Sequence, residues 1–214
     1  MIRWLLDGTE EVTGETIVYK GSTFKSYLGM WSLAAMAPGS SDRYAQDTNG
    51  KMVPEDIINI FPSGIVNIHP SLLPKHRGPT PLESVILDGS SETGVSLMQL
   101  VKAMDAGPVY AQETVSLTGL ETKQELADNL SNIGAKLLAT NLPSILDKTL
   151  KPTPQTDTEA TYDQLITKLD GAIDWNLRAD TIERQIRAYS GWPGARSDIL
   201  GKDSLIIQAE IIDK

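Results

Sequence analysis

The sequence contains no cysteine, only two histidines and few aromatic residues, which make up 6% of its 214 positions. A chain without cysteine forms no disulfide, has no thiolate nucleophile and cannot hold a cysteine-ligated zinc ion. This absence suits a reducing compartment. No apolar run approaches the roughly eighteen residues of a membrane span, and the apolar run at the N-terminus is too short for a signal peptide. We therefore expect a cytoplasmic protein with no membrane partner.

Basic residues are also scarce relative to acidic ones, with 19 Lys and Arg against 28 Asp and Glu and a net charge of −9. This excess of negative charge disfavours non-specific binding to nucleic acids and to anionic membranes. Hydrophobic residues make up 40% and charged residues 22%, which is typical of a globular domain and argues against wholesale disorder.

Patterns of strands and helices alternate through the middle of the chain, which predicts an α/β layer architecture. A short helix is expected from Pro54. The other predicted helices begin at the two capping boxes described below and at Ala179, where a helix runs to Ala188. The predicted strands are Thr16–Tyr19, Ile65–His69, Gly94–Val101, Val109–Leu117 and Ser204–Ile212.

Two capping boxes are predicted, at Thr80 to Glu83 and at Thr122 to Glu125, because each begins with threonine and has glutamate three residues later. The first helix is expected to end near Asp88, and the second is long and amphipathic. Pro143 is expected to kink or split the second helix, because proline removes a helical hydrogen bond and clashes with the preceding turn.

The most informative local pattern is Val66-Asn67-Ile68-His69-Pro70. Successive side chains of a strand point to opposite faces, so Asn67 and His69 share one face. Two polar side chains at the end of an otherwise apolar strand indicate a ligand site, since ligands bind outside the carboxyl ends of strands in open α/β sheets. The alternative, that both are hydrogen-bonded core residues, stays open on the pattern alone.

Further motifs follow this strand. The loop Ser71-Leu72-Leu73-Pro74 comes directly after it, and a turn with Asp105 and Gly107 follows the next helix and strand. Together the three elements resemble the folate-dependent formyltransferases. The segments Asp170–Trp175 and Trp192–Ala195 are similar to the part of methionyl-tRNA formyltransferases that leads into their C-terminal barrel, so the resemblance covers residues 51 to 214.

The resemblance implies that a formyl group passes from 10-formyltetrahydrofolate to the amino group of methionyl-tRNA. It implies that Asn67 and His69 stabilise an oxyanion and that Asp105 supports the charge of His69 and assists proton removal from the amine. It also implies that Ser71, Leu72, Leu73 and Pro74 shape the pterin pocket, that the partners are a folate donor and initiator methionyl-tRNA, and that no metal takes part.

Other interpretations accompany the motifs. A metal site of His69, His76 and Asp105 is disfavoured, since the chain has two histidines and no cysteine. The run Lys75-His76-Arg77 is expected to be a solvated loop, and Trp175 and Trp192 are expected to pack between segments.

The first fifty residues resemble a different family, the IMP dehydrogenases. The resemblance lies in Gly8–Glu11, Tyr27–Ser32, Gly39–Tyr44 and Lys51–Glu55, and Arg43-Tyr44 matches the Arg-Tyr pair of that family's mobile flap. Its catalytic cysteine is absent, which excludes dehydrogenase activity. The chain is therefore interpreted as two unrelated pieces that meet between Asn49 and Asp56, with the strand of Asn67 expected to lack a neighbour on one side.

These observations predict an α/β fold with an incomplete Rossmann-like formyltransferase core, a truncated C-terminal barrel and an N-terminal segment of foreign origin. The predicted divisions are 1–50, an IMP-dehydrogenase-like fragment that packs poorly; 51–150, the catalytic core; 151–203, a linker with a helical segment; and 204–214, the start of the barrel. Two alternatives to the main functional reading stay open: a non-catalytic chimeric fragment, and a formyltransferase acting on a small amine or a nucleotide sugar.

Overall fold

The structure, a computed structural model, describes residues 64–212, Ile58, and the backbone of four short strands before them. The strands are β1 (Val12–Thr13), β2 (Thr16–Tyr19), β3 (Ser22–Lys25), β4 (Ser32–Leu33), β5 (Val66–His69), β6 (Glu92–Gln99), β7 (Val109–Ser116), β8 (Ala195–Ile199) and β9 (Lys202–Ile206). The helices are α1 (Pro81–Leu87), α2 (Lys123–Leu146) and α3 (Ala179–Ala188), with 3-10 turns at Asp157–Glu159 and Lys168–Gly171.

A four-stranded sheet in the order β4-β5-β6-β7 forms the centre of the fold, and every pair in it is antiparallel. The order of the strands along the chain matches the sequence prediction. Strand β5 is antiparallel to both β4 and β6. The expectation that β5 lacks a neighbour on one side is wrong, because Ser32 pairs with Asn67 and Leu33 with Val66.

Helix α2 packs across β5, β6 and β7 and covers one face of this sheet. The helix approaches closely at Gly134, where an added Cβ would lie 2.7 Å from a methyl carbon of Ile68. The core lies between the helix and the sheet, and its fully buried members include Val95, Leu97, Leu126 and Leu138. The helices on a sheet confirm the α/β class.

Local signals placed the helix ends with mixed success. The capping box at Thr122 is confirmed, since Thr122 and Glu125 bond each other's backbone N–H. The box at Thr80 is wrong, because the Thr80 hydroxyl donates to the carbonyl of Gln164. Helix α2 also continues as one helix through Pro143 to Leu146, so of the predicted kink or split at this proline the split does not occur.

The C-terminal part adds α3 and the hairpin β8-β9. Helix α3 has the predicted bounds and packs against α1. The last strand is shorter than predicted, because β9 ends at Ile206. Trp175 and Trp192 are 60% and 56% exposed, so the prediction that they pack between segments is wrong.

Several predictions lie outside the described residues. They are the helix from Pro54, of which Ile58 alone is described and is helical, the matches at Gly39–Tyr44 that include Arg43 and Tyr44, and the junction between Asn49 and Asp56. The strand predicted at Thr16–Tyr19 is confirmed as β2. Within the part that the structure describes, none of the helices has the length and apolarity needed to cross a bilayer.

Candidate active site

Strand β5 carries Asn67 and His69 on the face of the sheet opposite α2. Ile68, between them, packs toward Gly134 of α2, so its two neighbours point the other way. Both polar side chains are buried, with 7% of Asn67 and 4% of His69 exposed. The two residues lie opposite Met98 and Ser96 of β6. This arrangement confirms the strand that the sequence predicted, with both side chains on one face.

Both ring nitrogens of His69 lie near polar groups. Nε2 is 2.9 Å from the backbone carbonyl oxygen of His76, and a carbonyl only accepts, so Nε2 carries a hydrogen and donates it. Nδ1 lies 3.9 Å from Oδ1 of Asp105. The ring is thereby fixed in orientation by a loop carbonyl, and its other nitrogen faces a carboxylate.

Asp105 occupies the turn between β6 and β7 with a backbone φ of +44°, the left-handed region that aspartate tolerates better than most residues. Its second carboxylate oxygen, Oδ2, accepts the backbone N–H of Gly78 at 2.8 Å. The turn is tight, because a Cβ on Gly107 would lie 1.7 Å from the carbonyl oxygen of Gln99. Asp105 therefore joins the β6–β7 turn to the loop that follows β5.

The loop Ser71–Pro74 is held against the sheet by buried hydrogen bonds to β6 and β7. The Ser96 hydroxyl donates to the carbonyl of Ser71 at 2.6 Å and accepts the N–H of Leu73 at 3.1 Å. Gln112 of β7 donates to the same hydroxyl and to the carbonyl of Leu73, at 2.8 Å each. The backbone of the loop is thus fixed beside His69, while Leu72 and Pro74 stay partly exposed.

Arg77 is 1% exposed, so the prediction that Lys75-His76-Arg77 is a solvated loop is wrong for this residue. Its guanidinium donates to Oε1 of Gln155, to the hydroxyl of Tyr162 and to the carboxylate of Asp157. These partners come from the segment after α2, which the sequence predicted as an extended connector. Nothing in the sequence marked Gln155, because its role depends on a contact with residues far away in the chain.

His76 contacts the same segment. Its Nδ1 lies 3.1 Å from Oδ1 of Asp163, and its Nε2 lies 4.0 Å from Oδ2 of Asp88. The hydrogen bond to Asp163 raises the pKa of His76 above its usual 6.5, against the opposing effect of burial. The carbonyl of His76 accepts from His69, so the loop residue is fixed at both its side chain and its backbone.

A cavity of about 220 Å³ lies between α1, α3 and the loop before α2. Charged side chains of α3, Asp180, Glu183, Arg184 and Arg187, line it together with the apolar Val85 and Leu117. None of the predicted catalytic residues contributes to this cavity. Among residues 64–212 the structure contains no group of three or more histidine and carboxylate side chains placed to hold a metal ion.

Comparisons with known families divide the chain into two parts. The formyl transferase family model matches residues 45–142, and the model of the formyl transferase C-terminal domain matches residues 165–214. The IMP dehydrogenase / GMP reductase domain model matches residues 1–67, which overlaps the first range and includes the predicted junction.

Curated relatives match most of the chain. A methionyl-tRNA formyltransferase of Dictyoglomus turgidum is 42% identical over 165 residues, which is 77% of this chain and 52% of that protein. One of Roseiflexus is 40% identical over 190 residues, which is 89% of this chain and 58% of that protein. The chain thus spans little more than half the length of these relatives.

Solved structures give the same fold. HypX from Aquifex aeolicus, in complex with tetrahydrofolic acid, is 28% identical with a TM-score of 0.56, covering 65% of this chain and 24% of HypX. WlaRD, a sugar 3N-formyl transferase crystallised in the presence of dTDP and 5-N-formyl-THF, is 25% identical with a TM-score of 0.61, covering 70% of this chain and 54% of WlaRD. The Rossmann-like formyltransferase core predicted from the sequence is confirmed.

Proposed function

We propose that this chain, which the formyl transferase family model matches over residues 45–142 and the C-terminal domain model over residues 165–214, transfers a formyl group from 10-formyltetrahydrofolate to an amine. The observation that carries the proposal is the 3.9 Å approach of His69 Nδ1 to Asp105 Oδ1, with Asn67 on the same face of β5. Same-face residues of a strand lie about 7 Å apart, so a small carbonyl fits between the Asn67 amide and the His69 ring.

The donor supplies an activated formyl carbon, and the residues of the chain are suited to assist its transfer to the amine. The amine forms a C–N bond to this carbon, the bond from the carbon to the donor nitrogen breaks, and the proton of the amine passes to that nitrogen. The Asn67 amide donates a hydrogen bond to the developing oxyanion, and His69, when protonated, adds a positive charge. The Asp105 carboxylate, which faces His69, accepts the proton of the amine, directly or through water.

The residues of the loop after β5 fit a pterin ring. The carbonyls and N–H groups of Ser71 and Leu73 are already bonded to Ser96 and Gln112, which fixes the backbone before a ligand arrives. Leu72 and Pro74 keep part of their apolar surface exposed beside the catalytic face. We propose that Ser71, Leu72, Leu73 and Pro74 form one wall of the folate site, since cofactor sites are largely apolar and pre-formed.

The acceptor we propose is the amino group of methionyl-tRNA, since the curated relatives are methionyl-tRNA formyltransferases. The net charge of −9 means that tRNA is bound through specific contacts and not by overall attraction. A nucleotide sugar is the second candidate, supported by the fold shared with WlaRD. The cytoplasmic location and the divisions at residues 50, 150 and 203 are parts of the same proposal.

The test offers the purified chain 10-formyltetrahydrofolate together with methionyl-tRNA or with a dTDP-linked amino sugar, and measures release of tetrahydrofolate. Formylation of the methionyl-tRNA is the expected result. Formylation of the sugar alone contradicts methionyl-tRNA as the acceptor and supports the nucleotide sugar. No release with either acceptor contradicts catalysis by this chain and supports the alternative of a non-catalytic fragment.

A further inference from the structure

The segment that connects the two matched family domains contributes directly to the support of the candidate site. Residues 143–164 fall between the two family matches. We call residues 153–163 the connecting segment. Thr153 of this segment forms an antiparallel β-bridge with Val109 of β7. Tyr162 forms a parallel β-bridge with Arg77, in the loop after β5. The N–H of Arg77 donates to the carbonyl of Thr161, and that of Asp163 donates to the carbonyl of Arg77.

Gln155 is the residue of this segment that contacts both sides of the site. Its Nε2 donates to the carbonyl of Asp105 at 2.8 Å and to the carbonyl of Gly107 at 2.6 Å. Its Oε1 accepts from Nε and Nη2 of Arg77 at 3.0 and 2.8 Å. The primary amide thus uses both of its donors and both lone pairs of its oxygen, which is the full capacity of the group.

The two carbonyls that Gln155 binds belong to the turn between β6 and β7, in which the backbone conformation is unfavourable. Asp105 has a φ of +44°, a conformation that costs free energy for any residue with a Cβ and persists when its surroundings hold it. The other side of the turn is restricted by the close approach of Gly107 to Gln99. Hydrogen bonds to the carbonyls of Asp105 and Gly107 keep the carboxylate of Asp105 directed at the loop and at His69.

We propose that Gln155 is a positioning residue for Asp105, holding the carboxylate between the N–H of Gly78 and the ring of His69. Gln155 reaches both elements at once, because Arg77 belongs to the loop and Asp105 to the turn. This inference rests on the proposed function for its catalytic consequence, since it is Asp105 that assists the transfer. The structural part of the inference, that one amide joins the turn to the loop, does not depend on that function.

Two variants of Gln155 separate its contacts. Gln155→Glu keeps an acceptor for Arg77 and deletes both donors to the carbonyls, which then face a carboxylate. Gln155→Ala deletes all four hydrogen bonds. Thr158→Ala, an exposed residue of the same segment, is the matched control. The readout is amide hydrogen exchange at Gly78, whose N–H is donated to Asp105, beside the amides of Val95 and Leu97 in β6.

The expected result is exchange at Gly78 faster by about ten-fold or more in both Gln155 variants, with Thr158→Ala and the β6 amides unchanged. Where the wild type turns over, kcat falls by about ten- to a hundred-fold in both variants, and KM for the folate donor changes by less than about two-fold. A split of this kind distinguishes positioning from general destabilisation, which accelerates exchange throughout β6 as well.

Unchanged exchange at Gly78 in Gln155→Glu overturns the inference, because the contact with Arg77 alone then suffices. Should Gln155→Ala accelerate exchange throughout the chain, Gln155→Glu decides the matter, since it retains an acceptor for the guanidinium of Arg77. A wild type without formyl transfer removes the proposed function only. The exchange at Gly78 still supports or overturns the positioning role.

Discussion

Nδ1 of His69 and Oδ1 of Asp105 face each other at 3.9 Å, although 36 positions separate the two residues in the sequence. The distance is longer than a hydrogen bond, so a small shift of either side chain would bring the two groups into hydrogen-bonding contact. Because the other nitrogen of the ring is held by the carbonyl of His76, the ring cannot turn away without losing a hydrogen bond. The ring nitrogen and the carboxylate are therefore held facing each other at the end of β5.

Replacing Asp105 with Asn tests its catalytic role. The amide keeps the size of the side chain and an acceptor for the N–H of Gly78, but it removes the negative charge beside His69. We expect the rate of formyl transfer to fall by about 100- to 10,000-fold, as is typical when a general acid or base is lost. The measurement is initial rate of tetrahydrofolate release. Asp128→Asn, on the exposed side of α2, is the control and should keep the wild-type rate.

Replacing Asn67 with Ala tests the proposed oxyanion donor. We expect kcat to fall by about 100- to 1,000-fold, the usual cost of losing one such donor. The folded state is checked by thermal unfolding, because Asn67 is buried and its loss also affects packing. Asn132→Ala on the surface of α2 serves as the control. A variant that folds and retains most of its activity contradicts the assignment of Asn67.

The interaction between His76 and Asp163 is expected to make the free energy of unfolding depend on pH. The pKa of His76 is raised above 6.5 by its hydrogen bond to Asp163, so the folded state binds a proton more tightly than the unfolded chain. The stabilisation is fully present below pH 6.5, the value for the unfolded chain, and is lost as the pH rises through the higher pKa of the folded state. We expect Asp163→Asn to lower the free energy of unfolding in mildly acidic buffer and to have much less effect at a pH above the raised pKa of the folded state.

Urea unfolding of the wild type and of Asp163→Asn across this range measures the difference. Asp88→Asn is the matched comparison, because its carboxylate lies 4.0 Å from Nε2 of His76 and is 63% exposed. Its pH-dependent difference should be smaller, as solvent screens an exposed pair. Stability curves of wild type and Asp163→Asn that run parallel with pH are incompatible with the prediction.

Removing the hydroxyl of Ser96 is expected to destabilise the loop after β5. Its hydroxyl accepts the N–H of Leu73 and donates to the carbonyl of Ser71 in a fully buried position. Ser96→Ala leaves the N–H of Leu73 without its acceptor, and we expect the free energy of unfolding to fall by about 1–3 kcal/mol. Chemical denaturation measures it, with Ser131→Ala on α2 as a control expected to change stability by about 0.5 kcal/mol or less. Equal stabilities of the two variants would refute the role of Ser96.

Features written in a few neighbouring residues were predictable. The capping box of Thr122 and Glu125 involves residues three apart, so its geometry follows from the sequence once a helix begins there. Helix α3 and strand β5 were likewise visible in the spacing of their apolar residues. The same local pattern failed at Thr80, whose side chain makes no cap hydrogen bond and whose hydroxyl donates to the carbonyl of Gln164, 84 positions away.

The surroundings of Arg77 could not be predicted. A Lys-His-Arg run resembles a solvated loop, and the chain segment with its partners resembles an exposed connector. A guanidinium is satisfied by any set of acceptors, so composition does not reveal which carboxylate or amide will meet it. Gln155, Asp157 and Tyr162 became its partners because the connecting segment returns to the sheet.

The sequence by itself determined which side chains are candidates for the chemistry, since Asn67, His69 and Asp105 stand in motifs that resemble those of the folate-dependent formyltransferases. It also determined the local elements that present them. The tertiary structure decided the distance between Asp105 and His69 and the hydrogen bonds of Gln155 to the carbonyls of Asp105 and Gly107. The physical reason is that hydrogen bonds between distant segments depend on how the chain returns to the sheet. The chemistry of a polar side chain does not identify the partner with which it will bond.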